Sequence, residues 1–394
     1  MTDRLRVLVV GGGMYAAGRG MDGYYGTVAP ALLEERRAGG VGDIALATTS
    51  ARTAHAAARD MDAIAEAMGV DERCKVWPRD GSDDGAFLYA ADEFEPDCAI
   101  IVVPDHLHAV VTAPLAERGI HCLVVKPMAG TLADAETMLA AAKNAGIVAE
   151  VEFHKRLDES NLMLRDAIIS GRVGTPLYAT VEYSQRKTIP RDIFKSWAER
   201  TSIFQYLAVH YVDLIGWATG YAPQRVTAWG QKEYLVEYDI DTWDSIQAVI
   251  EWRRPDGGSF VSTHITNWID PETTTATSDQ RISIVGTDGR FDADQKHRGV
   301  RVVSDTAGVS DPNPYFTGAW QREDGKLEFK GYGVASIRRF LDDVRAFRAG
   351  AVSLSALDAT RPTFSACLQS VAVIEAVHRS LAEGNVPVKI EGSS

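Results

Sequence analysis

The stretch Leu-Arg-Val-Leu-Val-Val-Gly-Gly-Gly-Met-Tyr-Ala-Ala, residues 5–17, decides the fold of the N-terminal region. Its first six residues are an apolar run typical of a β-strand buried on both faces. Gly11, Gly13 and Ala16 then fit G-x-G-x-x-A, with Met14 inside the motif. The glycines allow a tight turn and the close approach of a pyrophosphate, and Ala16 allows close helix packing. This pattern predicts a dinucleotide-binding turn; an ordinary glycine-rich turn is the alternative.

Outward from this turn, strands and helices alternate as far as residue 153. Further apolar strands are predicted at 43–49, 98–103, 121–125 and 148–153, and helices at 28–37, 53–68, 109–118 and 132–145. Repeated strand–helix units of this length predict an α/β fold with a right-handed, doubly wound parallel sheet. We therefore predict a Rossmann domain over residues 1–153.

After residue 154 the pattern changes to successive strands separated by turn residues. Strands are predicted at 178–184, 224–229, 245–252, 259–264 and 281–285, and helices at 161–170, 205–218, 335–349 and 363–383. Successive strands of this kind favour an antiparallel sheet. We predict an α+β domain over residues 154–394, with C-terminal helices that can pack back on the first domain.

Charge and cysteine content restrict the partners and the compartment. The formal net charge is −13, and a negative field argues against binding nucleic acid or an anionic membrane. No apolar run approaches the roughly 20 residues that cross a bilayer. The four cysteines lie far apart without a CxxC pair, which favours reduced thiols over disulfides or a zinc site. We predict a cytoplasmic protein without a metal, and a small-molecule substrate.

The residues after the second predicted strand bear on the choice of cofactor. An acidic residue there would bind the ribose 2′-hydroxyl of NAD, but residues 48–52 read Thr-Thr-Ser-Ala-Arg. Hydroxyls and a guanidinium suit a 2′-phosphate, so Ser50 and Arg52 predict NADP, with NAD as the alternative. Arg52 can equally be a solvated residue in the first turn of a helix. A second glycine-rich stretch, residues 18–26, predicts an inserted loop over the phosphates.

Four short segments occur in an order and spacing that identify a family resemblance. They read Val-Pro-Asp-His-Leu-His at 103–108, Val-Val-Lys-Pro at 124–127, Phe-His-Lys-Arg at 153–156 and Tyr-Leu-Ala-Val-His-Tyr-Val-Asp at 206–213. They resemble the P-N-x-x-H, E-K-P, G-F-N-R-R and D-x-G-x-H-x-x-D motifs of the glucose–fructose oxidoreductase, inositol dehydrogenase and rhizopine catabolism (Gfo/Idh/MocA) family. The C-terminal helix and tail, residues 370–390, also fit, so the resemblance covers nearly the whole chain.

The resemblance implies a Rossmann domain followed by a domain with an open-faced antiparallel sheet, which often forms a homodimer or homotetramer interface. It implies reversible hydride transfer between a nicotinamide and a secondary carbinol of a sugar, sugar derivative or cyclitol. It also implies the residues that lie beside the nicotinamide, which are Pro104, Asp105, His108, Lys126 and Pro127. The resemblance further implies that Lys126, which precedes Pro127, is catalytic.

The implied reaction requires a base that removes the O–H proton while hydride leaves the same carbon. His210 is the candidate base or acid, because the unperturbed pKa of histidine lies near operating pH. A histidine whose hydrogen bonds are satisfied within a helix is the alternative. Lys126 can stabilise the developing alkoxide and relay a proton; the alternative is a solvated lysine.

The chain departs from the family motifs at three positions. Val125 replaces the acid before the lysine, Asp105 replaces the asparagine, and Tyr206 replaces the first aspartate. Positions 206 and 210 share a face of a helix, so Tyr206 can reach His210 or the substrate. Its ordinary pKa of about 10 makes it a different proton-transfer partner from a carboxylate. Asp213, one turn further on, can orient His210 or be purely structural.

The segment that enters the second domain carries polar and cationic groups. His154, Lys155 and Arg156 can hydrogen-bond sugar hydroxyls or an anionic group, or can form a solvated, charged helix entry. The full set of candidate substrate contacts is Lys126, His154, Arg156, Tyr206, His210 and Asp213.

Two other functions remain open from the sequence. One is a family member that holds NAD(P) tightly and is redox-neutral, cleaving glycosides through a keto-sugar or passing hydride between two sugars; the stretch at 18–26 is the only sign of it. The other is a non-catalytic sensor of NAD(P), which the changes at Val125 and Tyr206 motivate. The presence of both Lys126 and His210 argues against a sensor, which needs neither.

Overall fold

The chain forms two compact units in a computed structural model, which describes residues 4–18, 25–71 and 73–392. The first unit contains the described residues of 1–129, 133–157 and 315–367, and the second those of 130–132, 158–314 and 368–394. Most of the loop predicted at 18–26 lies outside the described residues.

The first unit is built on a six-stranded sheet. Up to residue 157 its elements are β1 (Leu5–Val10), α1 (Met14–Ala17), α2 (Val28–Arg37), β2 (Val41–Ala47), α3 (Ala51–Met68), β3 (Lys75–Trp77), α4 (Ala86–Phe94), β4 (Cys98–Ile101), α5 (His108–Glu117), β5 (His121–Val125), α6 (Leu132–Ala145) and β6 (Ala149–Glu152). The strand order is β3-β2-β1-β4-β5-β6, and every pair is parallel. The predicted Rossmann architecture is confirmed. The sequence did not predict β3 and α4, because β3 has only three residues and shows no alternation that could mark a strand.

The second unit begins with a helix and continues as a run of strands. Up to residue 314 its elements are α7 (Glu159–Ile169), β7 (Pro176–Arg186), α8 (Val209–Thr219), β8 (Ala222–Gln231), β9 (Ser245–Arg253), β10 (Ser259–Asp270), β11 (Ser278–Gly286), β12 (Arg290–Asp294), β13 (Val302–Ser304) and β14 (Gly308–Ser310). The helix predicted at 205–218 is not continuous, because a π-helical turn, Phe204–Ala208, precedes α8.

The chain then returns to the first unit. This segment contains β15 (Gly318–Gln321), β16 (Leu327–Lys330), α9 (Tyr332–Arg348) and α10 (Leu354–Asp358), and the chain ends with α11 (Phe364–Ala382) and β17 (Val388–Lys389). Helix α9 packs on α2, and its Arg338 and Arg345 both form ion pairs with the buried Glu35 at 2.5 and 2.9 Å. Because of this packing, residues 315–367 belong to the first unit. A single boundary between residues 153 and 154, as predicted from the sequence, does not describe this arrangement.

The second unit contains a seven-stranded sheet of order β12-β11-β7-β10-β9-β8-β17. Its pairs are antiparallel except β7 with β10, which are parallel, so the expectation of a mainly antiparallel sheet is confirmed. Strand β9 alternates between buried and partly exposed residues. Its buried residues share a core with side chains of α8 and α11. One face of the sheet is therefore covered within the unit, and the other is open.

A search of the described residues for helices of sufficient length and hydropathy to cross a bilayer finds none.

Candidate active site

The glycine turn follows β1 at the point where the strand order of the parallel sheet reverses. Strand β1 lies between β2 and β4, and doubly wound sheets bind ligands in the crevice at the carboxyl ends of strands at such a point. Gly11 has φ +109°, and a Cβ there would lie 2.2 Å from the carbonyl oxygen of Val102. A Cβ on Gly13 would meet nothing within 4 Å. The turn therefore requires glycine at position 11 for its own geometry and leaves room beside Gly13.

This turn fits a dinucleotide pyrophosphate. Ala16 is 1% exposed, as expected of a small residue that lets a helix approach the sheet. Met14, at the start of α1, is 37% exposed, so it is available to a ligand beside the turn. The open space at Gly13 is the feature that a bound pyrophosphate needs, because backbone atoms there can approach it without a side chain intervening.

The residues predicted to select the cofactor lie between β2 and α3. Ser50 is the N-cap of α3, and its side chain accepts a hydrogen bond from Thr53 N at 3.3 Å. Arg52 is exposed in the first turn of that helix. Both follow the carboxyl end of β2, where the adenosine ribose of a dinucleotide binds in this fold.

His108 links the residues after β4 to the segment that contains Lys126. The imidazole is fully buried; its Nδ1 lies 2.8 Å from the Pro127 carbonyl oxygen, and its Nε2 lies 3.0 Å from the Val103 carbonyl oxygen. Burial lowers the pKa of His108, opposed by the charge of Asp105 and by these carbonyl oxygens. Carbonyl oxygens only accept hydrogen bonds and a neutral imidazole carries one N–H, so the ring donates to one of these oxygens and contacts the other. The imidazole therefore connects the turn after β4 to the turn after β5.

Lys126 follows β5 directly and is half-buried. Burial lowers its pKa to about 8, and the negative charges of Asp105 and Glu152 oppose this shift. Asp105 is itself 5% exposed, in the turn after β4. The structure therefore brings together three predicted positions, Lys126, Asp105 and His108, at one end of the parallel sheet.

Glu152 and Tyr15 are two site residues that the sequence did not predict. The Tyr15 hydroxyl donates to Glu152 Oε2 at 2.9 Å, and Nδ1 of His154 donates to the same oxygen at 2.8 Å. The His154 ring lies 5.0 Å from that of Phe316 and 5.7 Å from that of Tyr332. A signal was available, because β6 carries two carboxylates, Glu150 and Glu152, in a strand predicted to be buried, and a buried carboxylate needs a partner.

The cationic segment after β6 is buried and not a solvated helix entry. Lys155 and Arg156 are 2% and 7% exposed, in a 3-10 turn, His154–Leu157, that packs against α9. The charge of Arg156 helps to lower the pKa of Arg339, although burial is the larger cause. These side chains are therefore part of the interior of the first unit.

The second unit carries His210 and Asp213 on α8. His210 is the second residue of this helix and is 2% exposed, and Asp213 is 7% exposed. The His210 ring lies 6.5 Å from the ring of Tyr183. Because a buried polar side chain is costly without partners, their burial at successive turns of one helix indicates a constrained polar site.

Tyr206 lies in the π-helical turn before α8 and is enclosed by aromatic rings. Its ring centroid is 5.1 Å from that of Phe194, 6.0 Å from that of Trp197 and 5.9 Å from that of Trp268. The π-turn changes the rotation per residue, so the α-helical spacing that placed 206 and 210 on one face does not apply unchanged. The structure surrounds Tyr206 with apolar rings, whereas the family motif has an aspartate at this position.

No group of three or more His, Cys, Asp or Glu side chains suited to holding a metal ion occurs within residues 4–18, 25–71 and 73–392.

A parallel sheet with a glycine turn at its switch point, and a half-buried lysine at the end of β5, two strands from that turn, are the features of a dinucleotide-binding oxidoreductase. The chain belongs to the GFO/IDH/MocA oxidoreductase family. Residues 5–153 match the family model described as an oxidoreductase family, NAD-binding Rossmann fold, and residues 161–292 match that of the GFO/IDH/MocA C-terminal domain.

Relatives and solved structures agree with this family. A myo-inositol 2-dehydrogenase of Thermotoga maritima is 23% identical over 259 residues, which cover 65% of this chain and 72% of that protein. A 1,5-anhydro-D-fructose reductase of Ensifer adhaerens is 38% identical over 85 residues, but these cover only 22% of this chain and 26% of that protein. The crystal structure of GenD2 from gentamicin A biosynthesis in complex with NAD has a TM-score of 0.73 at 20% identity, covering 100% of this chain and 98% of that chain; this likeness concerns the fold alone.

Proposed function

We propose that this oxidoreductase transfers hydride reversibly between a nicotinamide and a secondary carbinol of a sugar, sugar derivative or cyclitol. One observation carries the proposal: Lys126 is half-buried after β5, with a pKa that burial lowers to about 8. A lysine with this pKa is largely protonated near neutral pH. Its ammonium group, already held in place, can stabilise the negative charge that develops on the alkoxide oxygen. The family membership and the names of the relatives support the carbinol substrate.

The residues have separate roles in this proposal. His210 removes the carbinol O–H proton during oxidation and returns it during reduction, while Lys126 donates a hydrogen bond to the alkoxide oxygen. A bound nicotinamide would supply the acceptor for the hydride of the carbinol carbon. The proton and the hydride leave together, so a carbonyl forms and no further oxidant is needed. Tyr206 and Asp213 contact the substrate or orient His210, and His154 and Arg156 support the lysine from the interior of the first unit.

We propose that the cofactor is NADP rather than NAD. Gly11, Gly13, Met14 and Ala16 hold the pyrophosphate, and Pro104, Asp105, His108 and Pro127 border the nicotinamide. Ser50 and Arg52 follow β2 without an acidic residue at the strand end. A hydroxyl and a guanidinium stabilise a 2′-phosphate, whereas an acid would repel it.

We further propose a homo-oligomer, a dimer or tetramer, assembled through the open face of the seven-stranded sheet. Trp229, Gln247 and Ile265 are register neighbours on β8, β9 and β10. Trp229 and Ile265, which lie on either side of Gln247, are 44% and 40% exposed, and large exposed apolar side chains on one face favour burial against another surface. None of the four cysteines, all of which lie in the described part of the chain, forms a disulfide, which supports a reducing, cytoplasmic location.

The substrate proposal is tested by measuring NADPH and NADH formation over a panel of sugars, cyclitols, uronates and glycosides. We expect at least one polyol to reduce NADP+ at a saturable rate, and the corresponding ketone to oxidise NADPH. Tight cofactor binding without net reduction by any compound would instead indicate the redox-neutral or sensing function.

A further inference from the structure

The imidazole of His210 needs a defined plane if it is to take a proton from a carbinol. The torsion that turns a histidine ring about its Cβ–Cγ bond has a broad energy profile, so rotamer preference alone does not set that plane. A general base acts only from within hydrogen-bond reach of the proton that it removes. A side chain that lies against the ring can supply the missing restriction.

The ring of Tyr183 lies against the His210 imidazole. The two ring centroids are 6.5 Å apart and the ring planes differ by 33°, a separation at which aromatic rings attract each other. Both residues belong to the second unit, and they are 8% and 2% exposed. Because interiors are close-packed, a ring in this position limits the orientations that are open to the imidazole.

Tyr183 is held on its other side by Tyr211, the residue that follows His210 on α8. Tyr183 lies on β7 and shares the core of the second unit with Tyr211. The two tyrosine rings meet edge to face, with centroids 5.7 Å apart and planes at 87°, which is a preferred arrangement of aromatic rings. The Tyr183 ring therefore contacts two consecutive residues of the helix that carries the candidate base.

The Tyr211 hydroxyl is fixed in turn by a buried amide. It donates to Gln295 Oε1 at 2.5 Å, and Nε2 of Gln295 donates to Ser160 Oγ at 2.8 Å and to Asn161 Oδ1 at 2.7 Å. Gln295 is 2% exposed, and a buried polar network whose hydrogen bonds are made is rigid. The start of α7 and the segment after β12 therefore hold the Tyr211 side chain in place.

A buried ion pair fixes the segment that carries Gln295. Arg298 donates to both carboxylate oxygens of Asp158, at 3.0 and 2.6 Å, and its Nε donates to the Gln295 carbonyl oxygen at 3.0 Å. The Arg298 and Asp158 side chains are 6% and 0% exposed. Since a bidentate pair has a defined geometry, it locks this segment to Asp158, the N-cap of α7.

We propose that Tyr183, held edge to face by Tyr211, is a positioning residue that sets the plane of the His210 imidazole for proton transfer. This rests on the proposed role of His210 as the base. The motif that contains His210 covers only residues 206–213, so the assignment extends the site from α8 to the sheet.

The first test observes the His210 ring and needs no substrate. The full chain is labelled with 13C at the Cε1 position of its nine histidines, and the His210 NMR signal is identified by its absence in His210→Ala. An aromatic ring displaces the resonances of nearby protons, so Tyr183→Leu should move the His210 signal. Tyr183→Phe keeps the ring and should leave the signal close to its original position.

Turnover separates positioning from a purely structural role. With a polyol that the unsubstituted enzyme oxidises, Tyr183→Leu should lower kcat by about tenfold to a hundredfold while KM for the cofactor stays unchanged. Tyr183→Phe should retain most of the rate. Phe260→Leu is the matched control, because Phe260 is a fully buried aromatic residue of the same sheet that packs on Tyr221 and Trp252 instead.

The control should lower the unfolding temperature without changing kcat or the His210 signal. Tyr211→Phe removes the bond to Gln295 and should move the signal by a smaller amount, which keeps the proposal testable if Tyr183→Leu does not fold. An unmoved signal in Tyr183→Leu, or in Tyr211→Phe where only that variant folds, overturns the proposal. A moved signal with an unchanged kcat overturns it as well.

The proposed function fails separately. A chain that oxidises no polyol, but whose His210 signal moves in Tyr183→Leu and not in Phe260→Leu, would contradict the proposed reaction and leave the contact between Tyr183 and the imidazole as assigned.

Discussion

Nδ1 of His108 lies 2.8 Å from the carbonyl oxygen of Pro127, the residue that follows Lys126. The same imidazole reaches the carbonyl oxygen of Val103 through Nε2 at 3.0 Å. A single buried side chain therefore joins the turns after β4 and β5. The lysine is positioned by this connection as well as by the sheet.

Replacing His108 by leucine should loosen the lysine segment. Whichever of the carbonyl oxygens of Val103 and Pro127 accepts the imidazole N–H would lose its buried donor, which costs about 1–3 kcal/mol of unfolding free energy. Urea unfolding measures this loss. Val110→Ala is the control, because Val110 is 65% exposed on the same helix and should change the free energy little. A His108→Leu variant as stable as the control would refute the structural connection.

Gly11 and Gly13 should respond differently to alanine. Gly11→Ala forces a Cβ to within 2.2 Å of the Val102 carbonyl oxygen at a positive φ, so the unfolding temperature should fall. Gly13→Ala meets no atom within 4 Å; its unfolding temperature should be unchanged while NAD(P) affinity falls. Thermal unfolding and cofactor titration of the two variants separate these effects. Equal cofactor binding in Gly13→Ala and the unsubstituted chain would place the pyrophosphate elsewhere.

The preference for NADP should depend on the residues after β2. Ser50→Asp preserves the N-cap of α3, because aspartate accepts the same hydrogen bond, but it places a negative charge where the 2′-phosphate is proposed to bind. We expect NADP affinity to fall by about tenfold or more, with NAD affinity retained. Arg52→Ala should also weaken NADP selectively. If the unsubstituted chain binds NAD more tightly than NADP, the proposed preference is wrong.

The open sheet face should control the state of association. Trp229→Glu and Ile265→Glu each place a charge among the exposed apolar residues of β8 and β10, and burying that charge at an interface is unfavourable. Size-exclusion chromatography with light scattering should show smaller assemblies for both variants. Val303→Glu is the matched control, because Val303 is 74% exposed on the β13–β14 hairpin. Dissociation by the control but not by the two sheet variants would place the interface elsewhere.

The local patterns of the sequence predicted the parallel sheet and the order of its elements. Buried strands such as β1 and β5 are continuous apolar runs in the sequence. The glycines of the turn after β1 stand in a short motif, so their positions could be read from the sequence. The sequence predicted that C-terminal helices can pack back on the first domain, but it did not predict the partners of α9, which packs against α2 and forms ion pairs with Glu35, about three hundred residues away. No local signal encodes such a distant partner.

The candidate site was predictable in part for a similar reason. Lys126, His108 and His210 stand in short motifs, so their positions could be read directly. The contact of Tyr15 with Glu152 joins residues 137 positions apart, which no short motif shows. The π-turn at Phe204–Ala208 was also missed, because Phe204, Leu207 and Ala208 are apolar like the helix that follows and the sequence shows no break between them.

The most direct test of the proposed reaction is the rate of hydride transfer in Lys126→Met and His210→Ala, measured with a polyol that the unsubstituted enzyme oxidises. We predict that NADP+ still binds to both variants, while the rate of NADPH formation falls by about 10²–10⁴-fold in each. Rates within a few-fold of the unsubstituted enzyme in either variant would contradict the assigned role of that residue. Such rates in both variants would contradict the proposed mechanism.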